Sequence, residues 1–303
     1  MTSKPVPKVE PATLALLVAC YGALMLTTTV IASTALPVAM VLTVLLVTLH
    51  SSLQHEALHG HPTRKKWLNE ILVFPAVGLF VPYGRFRDTH LDHHQDSILT
   101  DPYDDPESNY LDPRVWVGLP RPVQLVLRFN NTLMGRILLG PLISMIRFVT
   151  GDFRAAIGGQ YKIILCWGLH FLGLVPVIWW LLAVGSMPLW AYGIAAYLGF
   201  GVLKIRTFLE HRAHVAAPAR TVVIEDRGLL SLLFLNNNFH AVHHSHPGAP
   251  WYHLPALYFK DRQGFLDRND GYFYPNYRAV LRRYFFHPKD PVPHPIYRGI
   301  RPD

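Results

Sequence analysis

Three five-residue windows concentrate histidine: His55-Glu56-Ala57-Leu58-His59, His90-Leu91-Asp92-His93-His94 and His240-Ala241-Val242-His243-His244. Residues three and four apart share a helix face, so each window can aim two or three imidazoles at one point. Eight clustered imidazoles exceed the four ligands of a tetrahedral zinc and suit two nitrogen-bound metal ions. The chain holds 17 histidines in 303 residues. His170, His253, His287 and His294 fall outside the windows, and their default role is hydrogen bonding or solvent contact.

The elements that must position these windows are apolar. The chain is 50% hydrophobic and 16% charged, against about 25% charged residues in an average soluble domain. No Asp, Glu, Lys or Arg occurs between Glu10 and Glu56 or between Lys162 and Lys204. Each gap accommodates two spans of about 20 residues. The expected spans are about 12–31, 37–53, 163–184 and 189–208, with turns at Ala32-Ser33-Thr34-Ala35-Leu36 and Gly185-Ser186-Met187-Pro188. The expected fold is all-α: an integral membrane four-helix bundle of two hairpins, with a cytoplasmic cap carrying the histidine windows, in one domain covering 1–303.

Neither turn contains Lys or Arg, while Lys204 and Arg206 sit in the last turns of the fourth span, where basic chains can snorkel. The bias of basic residues toward the cytoplasm then places both turns outside and the windows and both termini inside. The net charge of +8 fits that bias and attraction to anionic lipid headgroups. Scattered basic residues without a binding motif argue against nucleic acid. An acidic redox partner is compatible with the basic face. The first apolar stretch lacks the compact basic start of a cleavable signal, and a second follows almost at once. Cys20 and Cys166 both lie in expected spans, which argues against disulfides, Cys-rich zinc sites and iron–sulfur clusters.

Shorter apolar runs at Ile71 to Tyr83, Ile137 to Ile146 and Leu229 to Leu235 read as re-entrant or interfacial helices. The acidic stretch Asp101-Pro102-Tyr103-Asp104-Asp105-Pro106-Glu107 and the tail from Gly271 read as solvated loops. No internal repeat is visible.

The first window also satisfies HExxH, in which two histidines bind zinc, Glu56 activates water and a third protein ligand completes the site. An intramembrane zinc protease would take that ligand from a residue such as Asp270, and would leave six clustered histidines idle.

Taken together, the HxxxH, HxxHH and HxxHH boxes around two membrane hairpins resemble the membrane fatty-acid desaturase and hydroxylase superfamily, over about His50 to Trp251. The resemblance implies that His55, His59, His90, His93, His94, His240, His243 and His244 hold a non-haem diiron centre. Glu210-His211 resembles the pair that supplies a further ligand in membrane alkane hydroxylases, 29 residues before His240. His211 is preferred there, although His214, three residues on, shares its face in a helix. Asn236 is a candidate neighbour of the centre or a helix cap. Glu56, Asp88, Asp92 and Glu210 are candidate acceptors for ligand N–H groups. His50 is displaced around the helix from His55, and His61 falls between Gly60 and Pro62, where a helix should end. His170 within a span is a functional candidate or a partner to a neighbouring helix.

Two irons with open positions can activate dioxygen, the co-substrate, against an unactivated C–H bond that no side-chain base can attack. The implied reaction is desaturation of a fatty-acyl or lipid chain, with hydroxylation of a lipid or alkane as the alternative. His246-Pro247-Gly248 is similar to a b-type cytochrome signature but continues with Ala249, and no electron carrier is evident in the chain. A separate cytoplasmic electron donor of the ferredoxin, rubredoxin or b-type cytochrome class is implied.

Overall fold

The computed structural model describes residues 9–95 and 97–297. The chain ends, whose sidedness the sequence addresses, lie outside these residues. Sixteen α-helices run in order among the described residues: α1 (Pro11–Leu26), α2 (Ala32–Thr34), α3 (Leu36–Leu58), α4 (Lys66–Leu72), α5 (Tyr83–His93), α6 (Pro113–Gly118), α7 (Arg121–Asn130) and α8 (Leu133–Leu138). There follow α9 (Gly140–Ile157), α10 (Tyr161–Ala183), α11 (Leu189–Leu209), α12 (Leu229–Leu233), α13 (His240–Ser245), α14 (Leu254–Lys260), α15 (Arg262–Arg268) and α16 (Tyr277–Tyr284). Two short parallel strands, β1 (Val223–Ile224) and β2 (Phe273–Tyr274), pair Val223 with Phe273. The protein is therefore mostly helical. Its contacts divide it into two compact units, residues 1–87 with 145–202 and residues 88–144 with 203–303.

The first unit holds the apolar helices. Three are long and apolar enough to cross a membrane among the described residues: Pro11–Thr34, Leu36–Leu58 and Tyr161–Ala183. They expose large apolar side chains such as Val18, Val41, Phe171 and Leu182, the surface expected of helices solvated by lipid rather than water. The Pro11–Thr34 helix contains a five-residue π-helical stretch at Thr27–Ile31 and ends at Ala35. The π stretch leaves the Thr28 carbonyl to accept the Ser186 and Met187 amides at 2.8 and 3.0 Å, and the Thr28 hydroxyl accepts Trp180 Nε1 at 3.0 Å. The two turns thus lie at one end of this unit. Ala39, Ala191 and Ala196 are fully buried between the helices, and a Cβ on Gly199 would stand 3.0 Å from Val47 Cγ1. Small residues permit this close approach where no hydrophobic driving force separates helix from lipid.

The run Ile71 to Tyr83 is not helical between Leu72 and Tyr83, where α5 begins. Pro75 and Pro82 remove amides and bias their predecessors away from helix. Its backbone groups are satisfied from outside: Ala76 N donates to Gly173 O at 2.9 Å, Tyr192 Oη to Val77 O at 2.9 Å, and His170 Nε2 to Leu79 O at 2.9 Å. That is the condition for irregular backbone among apolar helices, and it gives His170 a structural partner. Ile137 to Ile146 is helical but divided between α8 and α9, and Leu229 to Leu235 forms one turn closed by positive φ at Leu235 and Asn236.

The second unit is polar and loop-rich. Side chains cap its helices: Asp112 accepts from Arg114 N at 2.7 Å, Thr132 from Gly135 N at 3.0 Å, Asp261 from Gly264 N at 3.2 Å and Asn276 from Ala279 N at 2.9 Å. Capping of this kind satisfies otherwise orphaned first-turn amides. Val223, Phe239, Val242, Leu254, Tyr258 and Phe265 form the core beneath α13.

Candidate metal centre

The first histidine box closes α3. His55 lies in its last turn, His59 is the residue that ends it, and their rings stand 4.8 Å apart at 64°. Gly60, at φ +96°, takes the chain away. His61 turns to the start of the chain instead: its Nδ1 pairs with Glu10 Oε1 at 2.5 Å, and both side chains are buried. His50 meets the Tyr21 hydroxyl at 3.0 Å. Glu56 is buried near the end of the same helix.

The other boxes belong to the second unit. In α5, His90, His93 and His94 occupy the last turn and its end, and in α13, His240, His243 and His244 lie on a six-residue helix. Ala241 N donates to Val222 O at 3.0 Å and Ile224 N to Asn238 O at 2.8 Å. The short helix is thereby fixed against β1.

His93, His211, His240 and His244 come together, with one ring nitrogen from each within 4.8 Å of all the others. His93 Nε2 and His240 Nε2 lie 2.8 and 3.0 Å from His211 Nε2. Two nitrogens at right angles on one ion, each about 2.1 Å away, are about 3.0 Å apart. A second convergence in the same unit has His94 Nε2 at 3.0 Å from His90 Nε2 and 3.1 Å from His243 Nε2.

The opposite edges of these rings explain their orientation. His93 Nδ1 donates to Asp105 Oδ1 at 2.7 Å, His90 Nδ1 to Glu107 Oε1 at 3.0 Å, and His240 Nδ1 to Asn237 Oδ1 at 3.3 Å. An N–H committed to an acceptor leaves the other nitrogen's lone pair facing the cluster, as a metal requires. Asp105 is held in turn by the Thr100 and Glu107 amides at 2.8 and 2.9 Å. Asn237 also donates to Glu210 Oε1 at 3.1 Å, and Arg206 Nε stands 2.9 Å from the same oxygen. The donor set fits a metal ion: buried and half-buried imidazoles converge, with Asp105 behind His93 and Glu107 behind His90, the second Glu107 oxygen also lying 3.9 Å from His93 Nε2.

Electrostatics support neutral ligands in part of the set. Burial, joined by the neighbouring His93, holds His211 well below the usual imidazole pKa, and burial with the adjoining His244 does the same for His240. His93 moves the other way: burial lowers it, but Glu107 and the Asp105 hydrogen bond prevail and raise it to about 9. Glu107 is held well below the carboxylate range because His93 and His90 outweigh its burial. Burial raises Glu210 despite the opposing Arg206.

His214 does not join the cluster. Its Nδ1 meets the Ala216 backbone, and Nε2 lies 3.5 Å from Asp270, which is 70% exposed and also meets Arg212. The chain leaves α11 at Leu209 in an extended form, with His211 bridged to Thr221, so residues 211 and 214 do not share a helix face. Asn236 neither caps α13 nor reaches a box histidine; it donates to Trp251 O at 3.1 Å, and its neighbour Asn237 takes the place beside His240. Asp92 is exposed. Glu210 is placed beside a box histidine, 3.6 Å from His240 Nδ1.

Sequence reasoning missed Asp105 and Glu107 because turn chemistry suggested a solvated loop. Their position 11 and 13 residues after the second box, in a turn with two Asp-Pro pairs, is the signal that could have found them. The tail, expected as a solvated loop, also packs inward: the Lys289 side chain is 9% exposed and donates to the His211 carbonyl, while Asp290 accepts from Tyr110 Oη at 2.5 Å.

A helical protein with membrane-length apolar helices and carboxylate-backed histidine clusters defines a class of membrane oxidoreductase. The fatty acid desaturase family model matches residues 32–276, and the chain belongs to that family. A comparison with individual curated proteins finds no match.

Proposed function

We propose that this protein is an oxygen-dependent diiron desaturase that introduces a double bond into a fatty-acyl or lipid chain. The observation that carries this reading is the four-histidine cluster of His93, His211, His240 and His244, with Asp105 behind His93. These four histidines would hold one iron. His90, His94 and His243, joined by His55 and His59 from the first box, would hold the other. When bound, the irons would supply the capacity to reduce dioxygen and oxidise an unactivated C–H bond.

The chain's own residues orient and insulate that chemistry. Asp105, Glu107 and Asn237 fix the histidine tautomers. The apolar helices would admit the acyl chain from the bilayer and exclude water around it. In this reading Leu189–Leu209 is a fourth span despite Lys204 and Arg206, and the two units act as one enzyme. Both turns face outward, the boxes and chain ends are cytoplasmic, and a separate cytoplasmic donor of the ferredoxin, rubredoxin or b-type cytochrome class supplies electrons.

The family membership disfavours the zinc protease, and the clustering of seven histidines outside HExxH has no use in it. The test is purification in mild detergent, anaerobic iron loading, metal analysis, and product analysis with acyl lipids, dioxygen and a reductant. Two irons per chain and a new alkene support the proposal. An alcohol product moves the assignment to the hydroxylase, and one zinc with negligible iron rejects the diiron reading.

A further inference from the structure

Helix α7 leaves a broad apolar arc exposed. At 3.6 residues per turn, Arg121, Gln124 and Arg128 form one polar stripe, while Val123, Leu125, Val126 and Phe129 occupy the remaining arc. Part of the stripe reaches α6, where Gln124 Nε2 donates to the Trp116 and Leu119 carbonyls at 3.1 and 3.0 Å and the Arg128 guanidinium lies 5.5 Å from the Trp116 ring centroid, while Arg121 and Arg128 stay exposed. The apolar arc faces out, with Leu125 64% exposed and Val126 45% exposed. Asn130 is the one residue of the helix that is buried. On the preceding helix, Val115 and Val117 are also exposed.

A ten-residue helix draws its stability from a buried apolar face rather than from propensity. Here that face stays exposed among the described residues. The charge around it selects the occupant. No Asp or Glu occurs between Asp112 and Asp152, whereas the hairpin itself carries Arg114, Arg121 and Arg128. We infer that the α6–α7 hairpin lies in the membrane interface, its apolar arc among the acyl chains and its arginines at anionic lipid phosphates. Short amphipathic helices with basic residues bind bilayers in this way, and their affinity rises with anionic lipid. The polar stripe is free to bond with α6 because the apolar arc is solvated by lipid.

The test places a nitroxide on Leu125→Cys or Arg121→Cys in the full chain. The protein is reconstituted in bilayers of phosphatidylcholine with or without phosphatidylglycerol. Cys20 and Cys166 are buried, and wild-type protein carried through the labelling sets the background. The expected result is strong collision with dissolved oxygen and weak collision with a water-soluble nickel chelate at position 125, the reverse at position 121, and a deeper position 125 with phosphatidylglycerol. Equal chelate access at both positions would place the helix in water and overturn the inference. Shielding of position 125 from both reagents would mean that protein covers it, and would also overturn it. Neither outcome depends on iron or turnover, so failure here is separable from failure of the desaturase reading.

Discussion

Asp105 should matter to metal retention as much as a ligand does, although it sits behind one. It accepts the His93 N–H at 2.7 Å and is itself fixed by two amides. Asp105→Asn is expected to weaken iron binding by roughly 10–100-fold, read by competition with a chelator. His211→Ala should remove iron from the four-histidine set while His214→Ala leaves it in place, which metal analysis of both variants decides. Proton linkage gives a further expectation. Without metal, His93 has a pKa of about 9 against an ordinary 6.5, so its contribution to stability is complete below about 6.5 and is lost as pH rises through 9. His211 and His240 are lowered; their contribution is present above about 6.5 and is lost as pH falls. Near pH 7.5 the ion must therefore displace the His93 proton, and metal uptake should release about one proton at this site. Calorimetric titration in buffers of different protonation enthalpy measures it; uptake with no proton released would mean that His93 is neutral before the metal arrives or does not bind it.

The irregular segment after α4 depends on Gly173 at the scale of elements. A Cβ there would stand 2.7 Å from the Phe74 carbonyl oxygen, and the Gly173 carbonyl must accept Ala76 N. Overpacking against backbone costs typically about 1–3 kcal/mol. Gly173→Ala should accordingly shorten the half-life of the detergent-solubilised protein on heating. Gly22→Ala in α1 provides the contrast, since no atom lies within 4 Å of its added Cβ, and it should be neutral or slightly stabilising. Equal behaviour of the two variants would show that the α10 contact does not hold the segment.

For the whole molecule, the C-terminal strand of chain links distant parts of the second unit. Pro288 bridges to Thr132 and Pro293 to Leu111, while Lys289 reaches the His211 carbonyl. Deleting residues 288–303 should leave the apolar helices intact by circular dichroism yet abolish iron retention by metal analysis. Iron loading of the complete chain should raise its thermal midpoint, since a ligand that binds the folded form stabilises it by mass action; no rise on loading would indicate that the histidine cluster is not a metal site.

The family, the three boxes and four apolar runs were legible in the sequence, and three of those runs are helices long and apolar enough to cross a membrane among the described residues. Those features are local: charge-free runs, spacings of three and four, and prolines and glycines at helix ends act within one or two turns of chain. The tertiary structure alone decided which groups stand behind the histidines. Asp105 and Glu107 lie 12 and 17 residues from the rings they orient, and whether such a turn meets a histidine or water depends on how it folds back. The choice between His211 and His214 is of the same kind: three residues apart share a face in a helix, but the chain leaves α11 extended before either is reached, and bridging to Thr221 sends one ring into the cluster and the other toward Asp270.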